Sequence, residues 1–126
     1  MAKNKVNVEK YKAKALNELK EIAMLLKRDS LFLCVSRSYY AAFYAIKALL
    51  ESIGIHTGSH KQSQIEFRKN FIKTGKLPNE YSEVLAELSE LRGKADYDIN
   101  WGTNKVFVER IVKEAREFVS TILDVI

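Results

Sequence analysis

The sequence predicts an all-α protein: an antiparallel up-and-down four-helix bundle with one additional short helix, in a single domain over residues 1–126. Apolar residues recur at three- and four-residue steps along most of the chain, which is the period of amphipathic helices. One proline and five glycines leave long stretches without a helix breaker. A chain of 126 residues is also long enough to bury a core of its own.

The first predicted helix extends from Val8 to Leu26 and has lysines on the side away from its apolar stripe. The stripe consists of Val8, Tyr11, Ala15, Leu16, Leu19, Ile22, Ala23 and Leu26. Either Asp29 or Ser30 offers an N-cap for the next helix, because a short side-chain oxygen accepts a hydrogen bond from a free backbone N–H at that position.

The second predicted helix, from Leu31 to Ile53, is the most apolar, and Gly54 is expected to end it. One face consists of Val35, Tyr39, Ala42, Phe43, Ile46, Leu49, Leu50 and Ile53. Another face carries Arg37, Tyr40, Tyr44 and Lys47. A helix with two faces that need partners lies at the centre of its bundle or in a subunit interface.

A shorter third helix is predicted over about residues 60–73, with Ile65, Phe71 and Ile72 buried. The fourth helix follows Pro78, since proline cannot continue a helix. Its stripe consists of Tyr81, Val84, Leu85, Leu88, Leu91, Arg92 and Ala95.

Residues 96–102 are predicted to form a loop, after which Thr103 or Asn104 caps the last helix. The residues that this helix is expected to bury are Val108, Ile111, Val112, Ala115, Phe118, Val119, Ile122 and Ile126.

The composition argues against several classes of protein. Cys34 is the only cysteine and stands in an apolar run, so an intramolecular disulfide is excluded and burial is expected. One cysteine and two histidines argue against a closed zinc site, and neither a metal nor another cofactor is predicted. No apolar segment of a signal peptide follows residues 1–5, and no apolar run approaches the ~18 residues of a membrane span. A cytoplasmic protein is therefore expected.

The net charge of +5 is unevenly distributed along the chain. Residues 1–28 carry eight Lys or Arg against three Asp or Glu, and residues 59–76 carry five against one. Residues 77–102 carry six Asp or Glu against two Lys or Arg. The basic segments are able to meet a polyanion and the acidic segment a basic partner. Ordinary solvated helix faces account for the same pattern, so the charge alone does not decide.

Arg92 stands out because it continues the apolar stripe of the fourth helix. An arginine keeps its charge under almost any burial, so an inward Arg92 needs an acidic partner or a cleft open to water. Asp96 lies four residues later, at the spacing of a helical ion pair. Two interpretations stay open: a structural pair with Asp96, or a fixed cation that binds phosphate.

Polar residues continue after Arg92, at the predicted junction of helix and loop. Lys94 is a candidate for ligand binding, and Tyr97 and Asp98 are able to transfer protons beside a bound phosphate. The same residues also fit a polar end of a helix with no chemistry.

Three residues of the second helix are further candidates for ligand binding: Arg37, Tyr40 and Tyr44. A tyrosine stripe on a buried helix more often packs in a core or an interface.

Two segments carry a recognisable pattern: residues 36–45, SRSYYAAFYA, and residues 88–98, LSELRGKADYD. They resemble the tyrosine-rich second helix and the arginine–Ala-Asp-Tyr signature of small prokaryotic HEPN proteins, and the likeness extends over about residues 8–124. The resemblance implies a helical bundle that forms a homodimer with its motifs at a shared cleft. It also implies kinship with ribonuclease toxins that a minimal nucleotidyltransferase partner neutralises.

The chain departs from the family pattern at one position. The catalytic signature of the family is an arginine followed four to six residues later by a histidine; Arg92 matches the arginine, but Tyr97 stands at the histidine position. A tyrosine with an unperturbed pKa near ~10 is a poor base at neutral pH. Proton transfer then needs Asp96, Asp98, a Tyr97 of lowered pKa, or His60 from the third helix.

Three functions follow from these observations. The first is a dimeric module that binds nucleotide, RNA or a nucleotidyltransferase partner through a cleft around Arg92, as part of a toxin–antitoxin type pair. The second is a metal-independent endoribonuclease that uses Arg92 with Asp96, Tyr97 or His60. The third is an oligomerisation domain in which Arg92 and Asp96 form only an ion pair. The missing histidine favours the first.

Overall fold

The structure is a computed structural model that describes residues 4–126. Within those residues it contains five α-helices and no strand, which confirms the predicted all-α bundle with an additional short helix. The helices are α1 (Lys5–Lys27), α2 (Leu31–Ser52), α3 (His60–Phe67), α4 (Glu80–Tyr97) and α5 (Lys105–Asp124). What the sequence predicts for the first three residues lies outside this part of the chain.

α2 is the central helix, because α1, α3, α4 and α5 all pack against it. Most of its side chains are buried, and the fully buried ones include Cys34, as predicted, and Tyr39. α5 contributes the regular stripe from Val108 to Ile122 to the same core. The sequence pattern of a helix with two faces that need partners therefore identifies the centre of the bundle.

Polar side chains cap three of the helices, of which only α5 has its cap among the predicted ones. Ser30 stands at the predicted N-cap position of α2, but its side chain makes no capping hydrogen bond. Asn4 accepts a hydrogen bond from the backbone of Asn7 (3.0 Å), and Asn104 accepts one from Phe107 (3.0 Å). Asn104 rather than Thr103 is thus the cap of α5. α3 begins after Ser59, whose hydroxyl accepts a hydrogen bond from the backbone of Gln62 (3.1 Å). These bonds satisfy backbone donors that have no partner inside a helix.

The helix predicted over about residues 60–73 is present over residues 60–72, but its last turn is not α-helical. After α3 the chain makes a π-helical turn, Arg68–Ile72. Its backbone hydrogen bonds join residues five apart, one more than in an α-helix. Leu77 donates a backbone hydrogen bond to Phe71 (2.8 Å), and both side chains are buried. Arg68 donates to the hydroxyl of Ser82 (2.9 Å), which ties the turn to α4.

The predicted loop over residues 96–102 begins too early, because α4 continues to Tyr97. The segment from Ala95 to Tyr97 contains no helix breaker, and the backbone N–H of Asp98 still donates to Lys94 (3.0 Å). Trp101 then packs its ring 5.5 Å from that of Phe32.

Several apolar residues that were expected in the core are exposed instead. They are Leu16, Ala23, Ile53, Ile65 and Ile126. Each lies beside a buried stripe or at the end of an element, where the facing helix covers a narrower arc than the apolar pattern spans.

Candidate functional site

The candidate site lies where α2, α3 and α4 meet, and Arg92 is its cation. The Arg92 side chain, on α4, is 22% exposed. Its guanidinium carbon is 5.2 Å from the centre of the Tyr39 ring and 5.9 Å from the centre of the Tyr40 ring. Arg92 therefore lies against the aromatic side chains of α2, with part of its surface open to solvent.

Residues 4–126 do not satisfy the hydrogen-bonding capacity of Arg92. Its Nη1 is 3.7 Å from Oδ2 of Asp96, which is longer than the 2.7–2.9 Å that is usual for a charge-assisted hydrogen bond. The Arg92 Nε atom is buried and has no hydrogen-bond partner among residues 4–126. The guanidinium thus keeps donors for an external acceptor.

His60 is the first residue of α3 and faces the same tyrosine as Arg92. Its ring stacks on Phe43, with centroids 4.0 Å apart and planes 10° apart. Its Nδ1 atom is 2.8 Å from the hydroxyl of the fully buried Tyr39. The Tyr40 ring lies nearly perpendicular to the imidazole, at an interplanar angle of 86° and with centroids 5.8 Å apart. Three aromatic side chains of α2 therefore fix the orientation of the imidazole.

The protonation states of His60 and Tyr39 follow from burial and from the nearby cations. Burial, and then the positive charges of Arg92 and Lys47, lower the pKa of His60, so the imidazole is neutral at neutral pH. Burial raises the pKa of Tyr39, although a hydrogen bond from Gln64 and the charge of Arg92 oppose the change. Tyr39 keeps its phenolic proton throughout the physiological range.

A strip of alternating aromatic and basic side chains extends from Arg92 along α2. The guanidinium of Arg37 lies 4.6 Å from the centre of the Tyr40 ring, and Tyr44 follows at 6.3 Å from Tyr40. Lys14, from α1, lies 5.1 Å from the centre of the Tyr44 ring. Of the predicted ligand-binding residues, Tyr40 lies against Arg92, and Arg37 and Tyr44 lie against Tyr40. Arg37 also pairs with Glu18 of α1, with Nη1 3.2 Å from Oε2.

Other predicted site residues lie elsewhere. Tyr97 is 77% exposed, and its side chain makes no hydrogen bond to residues 4–126. Lys94 is turned away from Arg92, because two residues correspond to about 200° around an α-helix. It pairs with Glu90 at 3.4 Å. Asp98 accepts a hydrogen bond from the backbone of Asn100 (3.0 Å), at the end of α4.

Gln64 belongs to the site and was not singled out from the sequence. Its Nε2 atom donates to the hydroxyl of Tyr39 (3.1 Å) and lies 3.5 Å from that of Ser89 on α4. Gln64 stands four residues after His60, and this spacing places both on one face of α3. That spacing is the one signal in the sequence that links Gln64 to His60.

Two further classes of site are not found in the described part of the chain. Residues 4–126 hold no group of three or more His, Cys, Asp and Glu side chains placed to bind a metal ion. None of the helices in that range combines the length and the apolarity needed to cross a membrane.

Comparison with known proteins matches the chain to the HEPN domain over residues 8–125. A Thermotoga maritima protein named "UPF0332 protein" is 33% identical over 90 residues, which are 71% of this chain and 68% of the relative. A Methanocaldococcus jannaschii protein named "Putative toxin MJ0142" is 33% identical over 116 residues, 92% of this chain and 79% of the relative. A second protein of that archaeon, named "Putative toxin MJ0605", is 33% identical over 88 residues, 70% and 65% of the two chains.

Proposed function

The chain belongs to the HEPN family, and on that premise we propose that it binds RNA through the site around Arg92, as the toxin-like member of a toxin–antitoxin type pair. The observation that carries this proposal is that the unsatisfied guanidinium of Arg92 and the neutral imidazole of His60 both lie against the rings of Tyr39 and Tyr40. The names of the archaeal relatives support the toxin-like part.

The chemistry of Arg92 suits a phosphate group. A guanidinium presents its N–H donors in a planar fork that matches two phosphate oxygens. The rings of Tyr39 and Tyr40 remove water from one side of it, and a lower local dielectric strengthens a charge-assisted hydrogen bond. Release of Asp96 costs little, because a partly exposed pair at 3.7 Å contributes at most about 1 kcal/mol.

The strip next to Arg92 favours a nucleic acid over a free phosphate ion. Tyr40 and Tyr44 are half-buried, and aromatic side chains of this kind stack on bases of any sequence. Lys14 places positive charge beside the Tyr44 ring, where a phosphodiester backbone would pass, and Arg37 adds a guanidinium beside Tyr40 whose Nη1 is paired with Glu18. The lysines of α1, which outnumber its glutamates by six to three, extend this positive surface along the helix.

Two kinds of partner belong to this proposal. A minimal nucleotidyltransferase is the proposed antitoxin, and a second copy of the chain is proposed to complete the cleft as a homodimer. Exposed apolar side chains on α1 and α2, among them Met24 and Leu33, provide surface for such contacts. Sedimentation of the purified chain, alone and mixed with a nucleotidyltransferase encoded beside it, tests both partners.

RNA binding is tested by fluorescence anisotropy with a short labelled single strand. Arg92→Ala is expected to weaken binding roughly 10- to 100-fold, since a hydrogen bond to a charged group contributes about 1.5–3 kcal/mol. Lys94→Ala is the matched control, because it removes a cation two residues away that points elsewhere. Equal affinity of the two folded variants, or no binding by the wild type, would contradict the proposal.

RNA cleavage is a second candidate function, and the proximity of His60 to Arg92 favours it. A neutral histidine can accept the proton of a 2′-hydroxyl while an arginine stabilises the phosphorane charge. Asp96 is the carboxylate that pairs with Arg92, at 3.7 Å, whereas the Tyr97 side chain is 77% exposed. Incubation of the purified chain with RNA, with and without a chelator, tests for cyclic phosphate products.

A further inference from the structure

We propose that Gln64 and Tyr39 fix the tautomer of His60, so that the neutral ring carries its proton on Nε2 and offers a hydrogen-bond donor, not a base, to the site. The inference deepens the proposed function, because it assigns the role that His60 plays beside Arg92. The tautomer of His60 also distinguishes phosphate binding, which needs a hydrogen-bond donor, from RNA cleavage, which needs a base.

The direction of the hydrogen bonds around Tyr39 supports this assignment. The hydroxyl of Tyr39 has two partners within residues 4–126: the Nε2 atom of Gln64 at 3.1 Å and the Nδ1 atom of His60 at 2.8 Å. An amide nitrogen only donates, so the Tyr39 oxygen accepts the hydrogen bond from Gln64. The hydroxyl then donates its single proton in a hydrogen bond to His60 Nδ1. That nitrogen must be unprotonated, so the neutral ring carries its hydrogen on Nε2.

The surroundings hold this arrangement in place. Tyr39 is fully buried, so water does not compete with His60 for the hydrogen bond that its hydroxyl donates. Phe43 covers one face of the imidazole, and the edge contact with Tyr40 opposes rotation of the ring. The amide of Gln64 is held between the hydroxyls of Tyr39 and Ser89.

The consequence is a site with donors from two directions. The guanidinium of Arg92 and the Nε2–H group of His60 both complement phosphate oxygens. A ring with a protonated Nε2 and an occupied Nδ1 has no lone pair to accept the proton of a 2′-hydroxyl. Base catalysis would first require the Gln64–Tyr39–His60 chain of hydrogen bonds to reverse.

Gln64→Glu is the substitution that reverses the direction of the hydrogen bonds between residue 64, Tyr39 and His60. A carboxylate only accepts, so the phenol would donate to Glu and accept from His60 Nδ1–H instead. No proton is gained or lost, since the hydrogen of His60 moves from Nε2 to Nδ1. Gln62→Glu is the matched control, because Gln62 is exposed on the same helix and bonds the backbone of Gly58.

The test is a long-range ¹H–¹⁵N correlation spectrum of the ¹⁵N-labelled chain at mildly alkaline pH. The wild type and Gln62→Glu are expected to show His60 protonated at Nε2, and Gln64→Glu at Nδ1. Tyr39→Phe, which removes only the hydroxyl, is expected to show a mixture of tautomers. Protonation at Nδ1 in the wild type overturns the inference, as does the same tautomer in the wild type and Gln64→Glu.

The spectra need no ligand, so the two proposals fail separately. Loss of the expected tautomer with Arg92-dependent RNA binding intact contradicts only the role of Gln64 and Tyr39. The expected tautomer in a chain that does not bind RNA contradicts only the proposed function. A Tyr39→Phe variant that does not fold leaves the Gln64→Glu comparison as the deciding measurement.

Discussion

Arg92 and Arg110 both have a carboxylate four residues later, and the chain bonds them differently. Arg110, on α5, places Nη1 2.7 Å from Glu114 and Nη2 3.4 Å from Glu87 on α4. Arg92 has one carboxylate, Asp96, at 3.7 Å, and a buried Nε without a partner among residues 4–126. One guanidinium is satisfied by the chain, whereas the other keeps its capacity for a ligand.

The difference shows what an i, i+4 spacing does and does not predict. The spacing brings both acids near their arginines, but Glu114 reaches its partner and the shorter Asp96 does not. A second acid from the neighbouring helix then completes the shell of Arg110. At Arg92 the neighbouring helix α2 instead supplies the faces of tyrosine rings, which do not accept the paired hydrogen bonds that a carboxylate accepts from a guanidinium.

The largest expected effect distinguishes the fork of Arg92 from its charge. Arg92→Lys keeps the charge but loses the planar donors and the stacking on Tyr39, so RNA affinity is expected to fall about tenfold. Arg110→Lys, measured by the same anisotropy titration, is expected to leave affinity unchanged. Unchanged affinity in Arg92→Lys would show that Arg92 acts only through its charge, and an equal loss in Arg110→Lys would show that the effect is not specific to the site.

The contribution of His60 to the free energy of unfolding is expected to fall as the pH falls. The pKa of His60 is lowered by burial and by Arg92 and Lys47, so the unfolded chain binds more protons below about pH 6.5. This contribution is present above the unfolded pKa and is lost as the pH drops towards the folded pKa, by at most about 1.4 kcal/mol per pH unit. Urea unfolding from pH 8 to pH 5 should show a shallower loss for His60→Asn; an unchanged slope contradicts the assignment.

The contribution of Glu114 to the free energy of unfolding is expected to respond to pH in the opposite direction. Burial, and then the Glu87 carboxylate, raise the pKa of Glu114, so the folded chain binds more protons above the unfolded value. Its contribution to stability therefore increases as the pH falls through the raised pKa and is complete below the unfolded pKa. Glu114→Gln should remove this gain, and urea titrations at pH 4 to pH 7 measure it. A slope equal to that of the wild type would be the contrary result.

The smallest expected effect concerns the stability that each arginine contributes. Arg92→Met removes a partly buried charge with an unsatisfied donor, so stability is expected to stay level or to rise by up to about 1 kcal/mol. Arg110→Met removes two exposed pairs and is expected to cost about 0.5 kcal/mol. Denaturation of both variants decides, and a loss above about 2 kcal/mol in Arg92→Met would favour a structural ion pair.

The helices and the inward position of Arg92 were predictable because they depend on contacts near in sequence. Each long helix buries one stripe of period 3.6, and this stripe is visible without knowledge of its partner. The proximity of Asp96 to Arg92 follows from the same geometry. Lys94 and Tyr97 were chosen for their closeness along the chain, and the helix turns them away from Arg92.

The contacts of His60 could not be derived from spacing. His60 and Tyr39 are 21 residues apart, and they meet because the short α3 docks across α2. The helix over residues 60–73 is predicted from the spacing of its apolar residues, and this spacing does not reveal where a π-helical turn inserts an extra residue. Gln64 was missed because a glutamine gains its role here only from the hydroxyl that it faces.

The π-helical turn Arg68–Ile72 also determines how this molecule tolerates changes of chain length. The extra residue offsets α3 by about 100° from the segment that follows, where Phe71 and Leu77 are anchored in the core. Loss of a single residue there would close a regular turn and rotate His60 and Gln64 away from Tyr39 while the bundle survives. Deletions at this point should therefore separate folding from function more cleanly than deletions in the exposed connection before α5.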